Sequence, residues 1–134
     1  MKKVANLINY RISDLKFVNH LNAPAKLELG YRYSYNVGYS QKNTCRGELH
    51  AEISDKGAPD RFSMDVTLIG VFTTQPGVEK EILHLQTYDM LFPYLKALVS
   101  TLSATAGVPP IYIPYIDISD KSIIKFEMPH GDDE

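Results

Sequence analysis

Four antiparallel strands followed by helices, an α+β domain, is the architecture this sequence predicts. Three observations carry that reading. Segments upstream of Pro76 alternate apolar and polar residues with period two. Short turn clusters, rich in Gly, Pro, Asn and Asp, separate them. Leu91, Leu95, Leu98 and Leu102 then fall on one stripe at helical spacing.

The most regular strand runs from Leu27 to Tyr39. Its odd positions are Leu27, Leu29, Tyr31, Tyr33, Tyr35, Val37 and Tyr39, set against polar or glycine residues at the even positions. Burying such a face contributes roughly 1.5–3 kcal/mol per large side chain before conformational entropy is subtracted. After a turn at 40–43, Cys45, Gly47, Leu49, Ala51 and Ile53 alternate against Arg46, Glu48, His50 and Glu52. Beyond the turn at 55–60, Phe62, Met64, Val66, Leu68 and Phe72 repeat the pattern. Upstream, only Leu15 and Phe17 alternate, ahead of the loop Asn22-Ala23-Pro24. Short connectors make the strands antiparallel.

Val78 to Gln86 reads as a short helix, with Ile82 and Leu85 on one side. Thr87 or Asp89 can cap a second helix, which places Pro93 in a first turn, where the amides lack intrahelical partners. Gly107 suits the position just past that helix, and Pro109-Pro110 forbids continuation. An extended apolar strip, Ile111 to Ile118, follows. The reading is one domain over 1–134, with flexible ends at 1–9 and 129–134.

Composition narrows the function. The chain has 134 residues and a net charge of −2, without the basic footprint of a nucleic-acid binder. With 44% hydrophobic residues it can build a core. A single cysteine, Cys45, excludes an internal disulfide and a cysteine-rich zinc site. No apolar run reaches the length of a membrane span or a signal peptide, so a soluble cytoplasmic protein is expected. Nine tyrosines and no tryptophan is the oddity, since tyrosine is an interface residue. One helix stripe covers only part of a four-stranded face, and a second subunit is the economical cover for the rest.

No catalytic constellation stands out. His20, His50, His84 and His130 show no metal-ligand spacing on a helix, Cys45 has the parity of a buried side chain, and no phosphate loop or nucleophile elbow is present. We expect no enzyme, no cofactor and no metal. A hotdog-type acyl-thioester hydrolase also wraps a sheet around a helix. There the helix follows an early strand, whereas here it follows all four.

The motif Leu91-Phe92-Pro93-Tyr94, its helix, and then Pro109-Pro110 and Pro114 resemble the SecB family of protein-export chaperones. Asn22-Ala23-Pro24 after Asp14-Leu15-x-Phe17 matches as well, as does Phe62-x-x-Asp65-Val66 leading to Gly70-Val71-Phe72, although the family prefers a second glycine or alanine near Ile69. The resemblance covers about residues 10 to 118. It implies helices on one face of the sheet and a homotetramer built as a dimer of dimers. It also implies an ATP-independent holdase that receives unfolded preproteins in apolar grooves. The groove candidates are Tyr31, Tyr33, Tyr35, Phe92, Tyr112 and Tyr115.

In the family, acidic residues on the outer sheet face help dock the SecA motor. Asp14 and Asp65 align with two of them, and strand parity turns both outward. Ser63 stands where a leucine is usual, Val18 where an acid is expected, and the final helix is replaced by residues 120–134, which read poorly as a helix. Some SecB-like proteins are instead chaperones dedicated to an antitoxin of a toxin–antitoxin system, with the same fold and a private client.

Overall fold

The computed structural model describes residues 3–21, 27–40 and 42–116. The Asn22-Ala23-Pro24 loop and the chain from 117 onward, including the predicted flexible tail, lie outside these residues. Four strands, β1 (Ala5–Asn19), β2 (Leu29–Ser40), β3 (Thr44–Asp55) and β4 (Phe62–Thr74), precede one helix, α1 (Lys80–Thr105). The strands form one antiparallel sheet in the order β1-β4-β3-β2, with α1 on one face. The α+β class is therefore as the sequence predicts.

The β2–β3 hairpin turns on Lys42 and Asn43, whose φ angles of 68° and 57° lie in the left-handed region that Asn tolerates well. Asp55 closes the far end of β3. Its carboxylate accepts hydrogen bonds from Arg61 Nε at 3.0 Å and from the Gly57 amide at 3.2 Å. The Arg61 guanidinium holds the Asp55 carboxyl below the usual carboxylate range.

β1 departs most from the sequence reading. It begins at Ala5, so 5–9, expected as a flexible lead-in, pairs with β4 over 71–74. The register slips at Leu7/Asn9 and again at Ile12/Asp14. Each slip inserts one residue and resets the alternation. The side chains sharing the helix face are Leu7, Tyr10, Ile12, Leu15 and Phe17, spaced three, two, three, two, which hides the strand from a period-two search.

The helix region is also corrected. One continuous helix replaces the two expected, and Pro93 lies deep inside it rather than in a first turn. Proline removes the bond to the Asp89 carbonyl, and its ring stands on the exposed side. Thr87 is no cap. Its Oγ1 donates to the Leu83 carbonyl at 2.7 Å and accepts from the Tyr35 hydroxyl at 2.6 Å, in the core. The buried stripe is Leu83, Thr87, Leu91, Leu95, Val99 and Ser103, with Leu98 and Leu102 half-buried on its flank.

Gly107 (φ 94°) ends the helix as expected. The Gly107 amide donates to the Ala104 carbonyl and the Val108 amide to Ser103, the paired bonds of a Schellman cap.

Two glycines set how closely the layers meet. A Cβ on Gly70 would lie 3.1 Å from Leu91 Cδ1, so α1 is seated directly on β4. A Cβ on Gly47 would lie 2.9 Å from Tyr35 Cζ and closer still to its hydroxyl. Gly47 is thus the space that Tyr35 occupies.

Gly47→Ala should destabilise the fold by about 2 kcal/mol, through overpacking against Tyr35. Gly38→Ala, with open space around its Cβ, should stay within about 0.5 kcal/mol. Urea unfolding checks both, and equal effects would refute the packing account.

Burial pushes the Cys45 thiol up to about 11 from 9.0, and raises the Tyr35 and Tyr88 phenols above 10.0. In each case the folded state favours the neutral form. The associated stability is complete below the ordinary value and is lost as pH climbs toward the folded one. From neutral pH the urea midpoint should hold level up to pH 9 and decline above it, and Tyr35→Phe should flatten the part above pH 10.

Candidate functional site

The strip 108–116 leaves the helix over Ser103, whose hydroxyl accepts the Ile111 amide at 2.9 Å. From there its side chains alternate. Ile111 and Ile113 are buried and Tyr112 between them is 70% exposed, while Tyr115, on the parity of the isoleucines, lays its ring against Phe92 and remains 53% exposed. Three tyrosine hydroxyls tie the strip to the body. Tyr33 donates to the Pro114 carbonyl at 3.3 Å, Tyr88 to the Ile116 carbonyl at 2.9 Å, and Tyr115 to Asp89 Oδ1 at 2.6 Å.

Beneath the strip lies a continuous run of rings. Tyr35 meets Tyr88 at 5.5 Å between centroids, Tyr88 meets Phe92 at 5.6 Å, and Phe92 meets Tyr33 at 6.2 Å and Tyr115 at 5.3 Å. Edge-to-face and tilted contacts of this kind favour a rigid cluster. Four of the six predicted groove residues, Tyr33, Tyr35, Phe92 and Tyr115, are therefore brought together.

Their roles divide. Tyr33, Tyr35 and Phe92 are core residues, at most 4% exposed. Tyr31, on the edge strand β2, and Tyr112 and Tyr115, on the strip, present aromatic surface. Tyr88 was missed. It stands at the heart of the cluster, and its i, i+4 spacing to Phe92 was the available signal.

The opposite face of the sheet is mixed in charge around Asp65, with Ile69 and Val71 as apolar residues farther along β4. One row across the strands reads Lys16, Asp65, Glu52, Arg32, and the next reads Asp14, Thr67, His50, Ser34. Asp14 and Asp65 both lie on this face, as parity requires. Asp65 Oδ1 contacts His50 Nε2 at 2.7 Å, and Arg32 reaches Glu52 at 3.5 Å. Val18 and Ser63, two of the departures noted above, are paired neighbours on the same face.

His50, Glu52 and Asp65 form a cluster that the sequence reading overlooked, their ligand atoms all lying within 4.8 Å of one another. A search for helical spacing misses it, because its members are i, i+2 on one strand and directly opposite on the next. No helix of the described residues is long and apolar enough to cross a membrane.

No protein-family model matches the chain. A 40-residue stretch is 35% identical to an uncharacterized protein of Methanocaldococcus jannaschii, and the match covers 30% of this chain and 26% of that protein. The fold is similar to that of the SecB-like chaperone Rv1957 of Mycobacterium tuberculosis, solved in complex with a ChAD peptide from the HigA1 antitoxin. The TM-score is 0.67 at 16% sequence identity, over 84% of this chain and 88% of that one. The arrangement of a four-stranded antiparallel sheet beneath one long helix is thus that of the SecB-like fold.

Proposed function

We propose that this chain is an ATP-independent SecB-like chaperone that holds a non-native polypeptide, and that its client is an antitoxin. The observation that carries the proposal is the exposed aromatic surface of Tyr112 and of the partly packed Tyr115 on a strip pinned by tyrosine hydroxyls. Tyr31 presents a further ring on β2, an edge strand among the described residues. Rigid aromatic anchors beside a strand edge left open among the described residues suit an extended apolar segment. The chaperone of similar fold bound to an antitoxin peptide supports the choice of client. The proposal assigns the chain no catalysis and a cytoplasmic place of work.

General export through SecA is the second reading, with unfolded preproteins as clients. The outer face argues against it. Asp14 and Asp65 are interleaved with Lys16, Arg32 and His50 instead of forming an acidic patch for a cationic partner.

Self-association belongs to the same proposal. Ile8, Tyr10, Ile12 and Leu15 on edge strand β1 are all more than 40% exposed, and Tyr10 stacks on the equally exposed Tyr94 at 4.4 Å. An apolar strand edge of this length calls for a covering partner. We assign it to a second copy, within a homotetramer made of two dimers.

An aggregation-prone protein diluted from denaturant, without ATP, should scatter less light in the presence of this chain. Tyr112→Ala with Tyr115→Ala should weaken client binding by about tenfold or more. Failure to bind either unfolded chains or an antitoxin sinks the chaperone reading. Full rescue of an export-defective strain, with no protection of an antitoxin, would overturn the choice of client and favour export.

Ile12→Lys should shift the mass measured by size-exclusion light scattering from tetramer to a smaller species. An unchanged mass would remove β1 from the interface.

A further inference from the structure

The polar face of the sheet holds an arrangement that neither the fold nor client binding requires. His50 and Glu52 stand two apart on β3, and Asp65 is the cross-strand partner of Glu52 on β4. Their donor atoms converge within 4.8 Å, one imidazole nitrogen and two carboxylate oxygens. β3 and β4 are the two central strands, hydrogen-bonded on both sides, so the backbone that presents these groups is held in place before any ligand arrives.

A second observation points to the same spot. Thr67 shares the face, two residues from Asp65 on β4 and opposite His50 on β3. It is only 7% exposed, and its hydroxyl makes no side-chain hydrogen bond among the described residues. A buried hydroxyl without a partner is costly, and a bound water or ion-held water beside it relieves that cost.

We propose that His50, Glu52 and Asp65 form a binding site for a divalent transition ion of the zinc class, with the Thr67 hydroxyl bonding to a water carried on the ion. The imidazole sets the class: one nitrogen with two carboxylates suits zinc, cobalt or nickel, whereas magnesium and calcium favour all-oxygen sets. The groups now satisfying the carboxylates are weak competitors. The His50–Asp65 and Arg32–Glu52 pairs are half-exposed, and Lys16 faces Asp65 from β1. Exposed pairs of this kind contribute little, so little is lost when a doubly charged ion displaces them. The proposal does not rest on the chaperone reading.

Calorimetric titration of the full chain with Zn2+, together with the absorption spectrum of the Co2+ form, tests it. We expect one ion per chain and a cobalt band that reports nitrogen ligation. His50→Ala and Asp65→Asn should each weaken binding at least tenfold, and Thr67→Val several-fold. His130→Ala, in the tail, should change nothing. Absence of binding by the parent chain, His50→Ala binding as tightly as the parent, or loss of binding in His130→Ala instead would each overturn the assignment.

Discussion

The contact of Leu91 with Gly70 is the one on which the rest of the structure depends. A glycine on the central strand β4 strips that position of its side chain, and the helix settles onto the sheet there. Once Leu91 is seated, Tyr88 and Phe92 are carried over β2 and β3. They meet Tyr35 and Tyr33, and the ring cluster closes. Gly47 does for Tyr35 what Gly70 does for Leu91. Two absent side chains therefore make room for Leu91 and for the Tyr35 ring in a shallow layer. The strip from Val108 onward needs that platform, because two of its hydroxyl tethers, from Tyr33 and Tyr88, rise out of the cluster.

Much of this was legible in the residues. β3 alternates as read from the chain, and so do the centre of β2 and the start of β4, whereas Thr67 and Ile69 are buried on the outer parity and Tyr31 and Tyr39 are exposed on the inner one. The Gly107 terminator was plain, since few residues but glycine accept its φ. β1 was legible only in its last third. Its two register slips break the period, and a strand whose pattern reads three, two, three, two resembles neither a strand nor a helix. The helix was split in the reading because Pro93 is normally a boundary. Here the lost hydrogen bond is on the solvent side and the flanking residues, Leu91, Phe92 and Leu95, are held by packing that the chain order does not reveal.

The site was half visible. The surplus of tyrosine announced an aromatic surface, but alternation cannot tell a tyrosine that packs under a strip from one that faces solvent. Tyr33 and Tyr35 share parity with Tyr31, and they differ only because the centre of β2 lies beneath α1 while its end does not. The His50, Glu52 and Asp65 cluster is invisible without strand register. Glu52 and Asp65 are separated by a turn, and only the pairing of β3 with β4 puts them side by side.

The slipped strand β1 bears on how the molecule avoids becoming a fibre. A sheet whose two edges, among the described residues, are left open is a template that could add copies without end. β2 keeps an unbroken register against β3, while the register of β1 slips at two points. A bulged edge fits a neighbour bulged in the same way, and the proposed pairing of two copies about a two-fold axis would supply that neighbour by placing β1 against β1. β1 against β2 would be the open-ended arrangement, and the mismatch of contour opposes it. In the proposed assembly growth would stop at a closed pair, and the β2 edge would be left to an unlike strand.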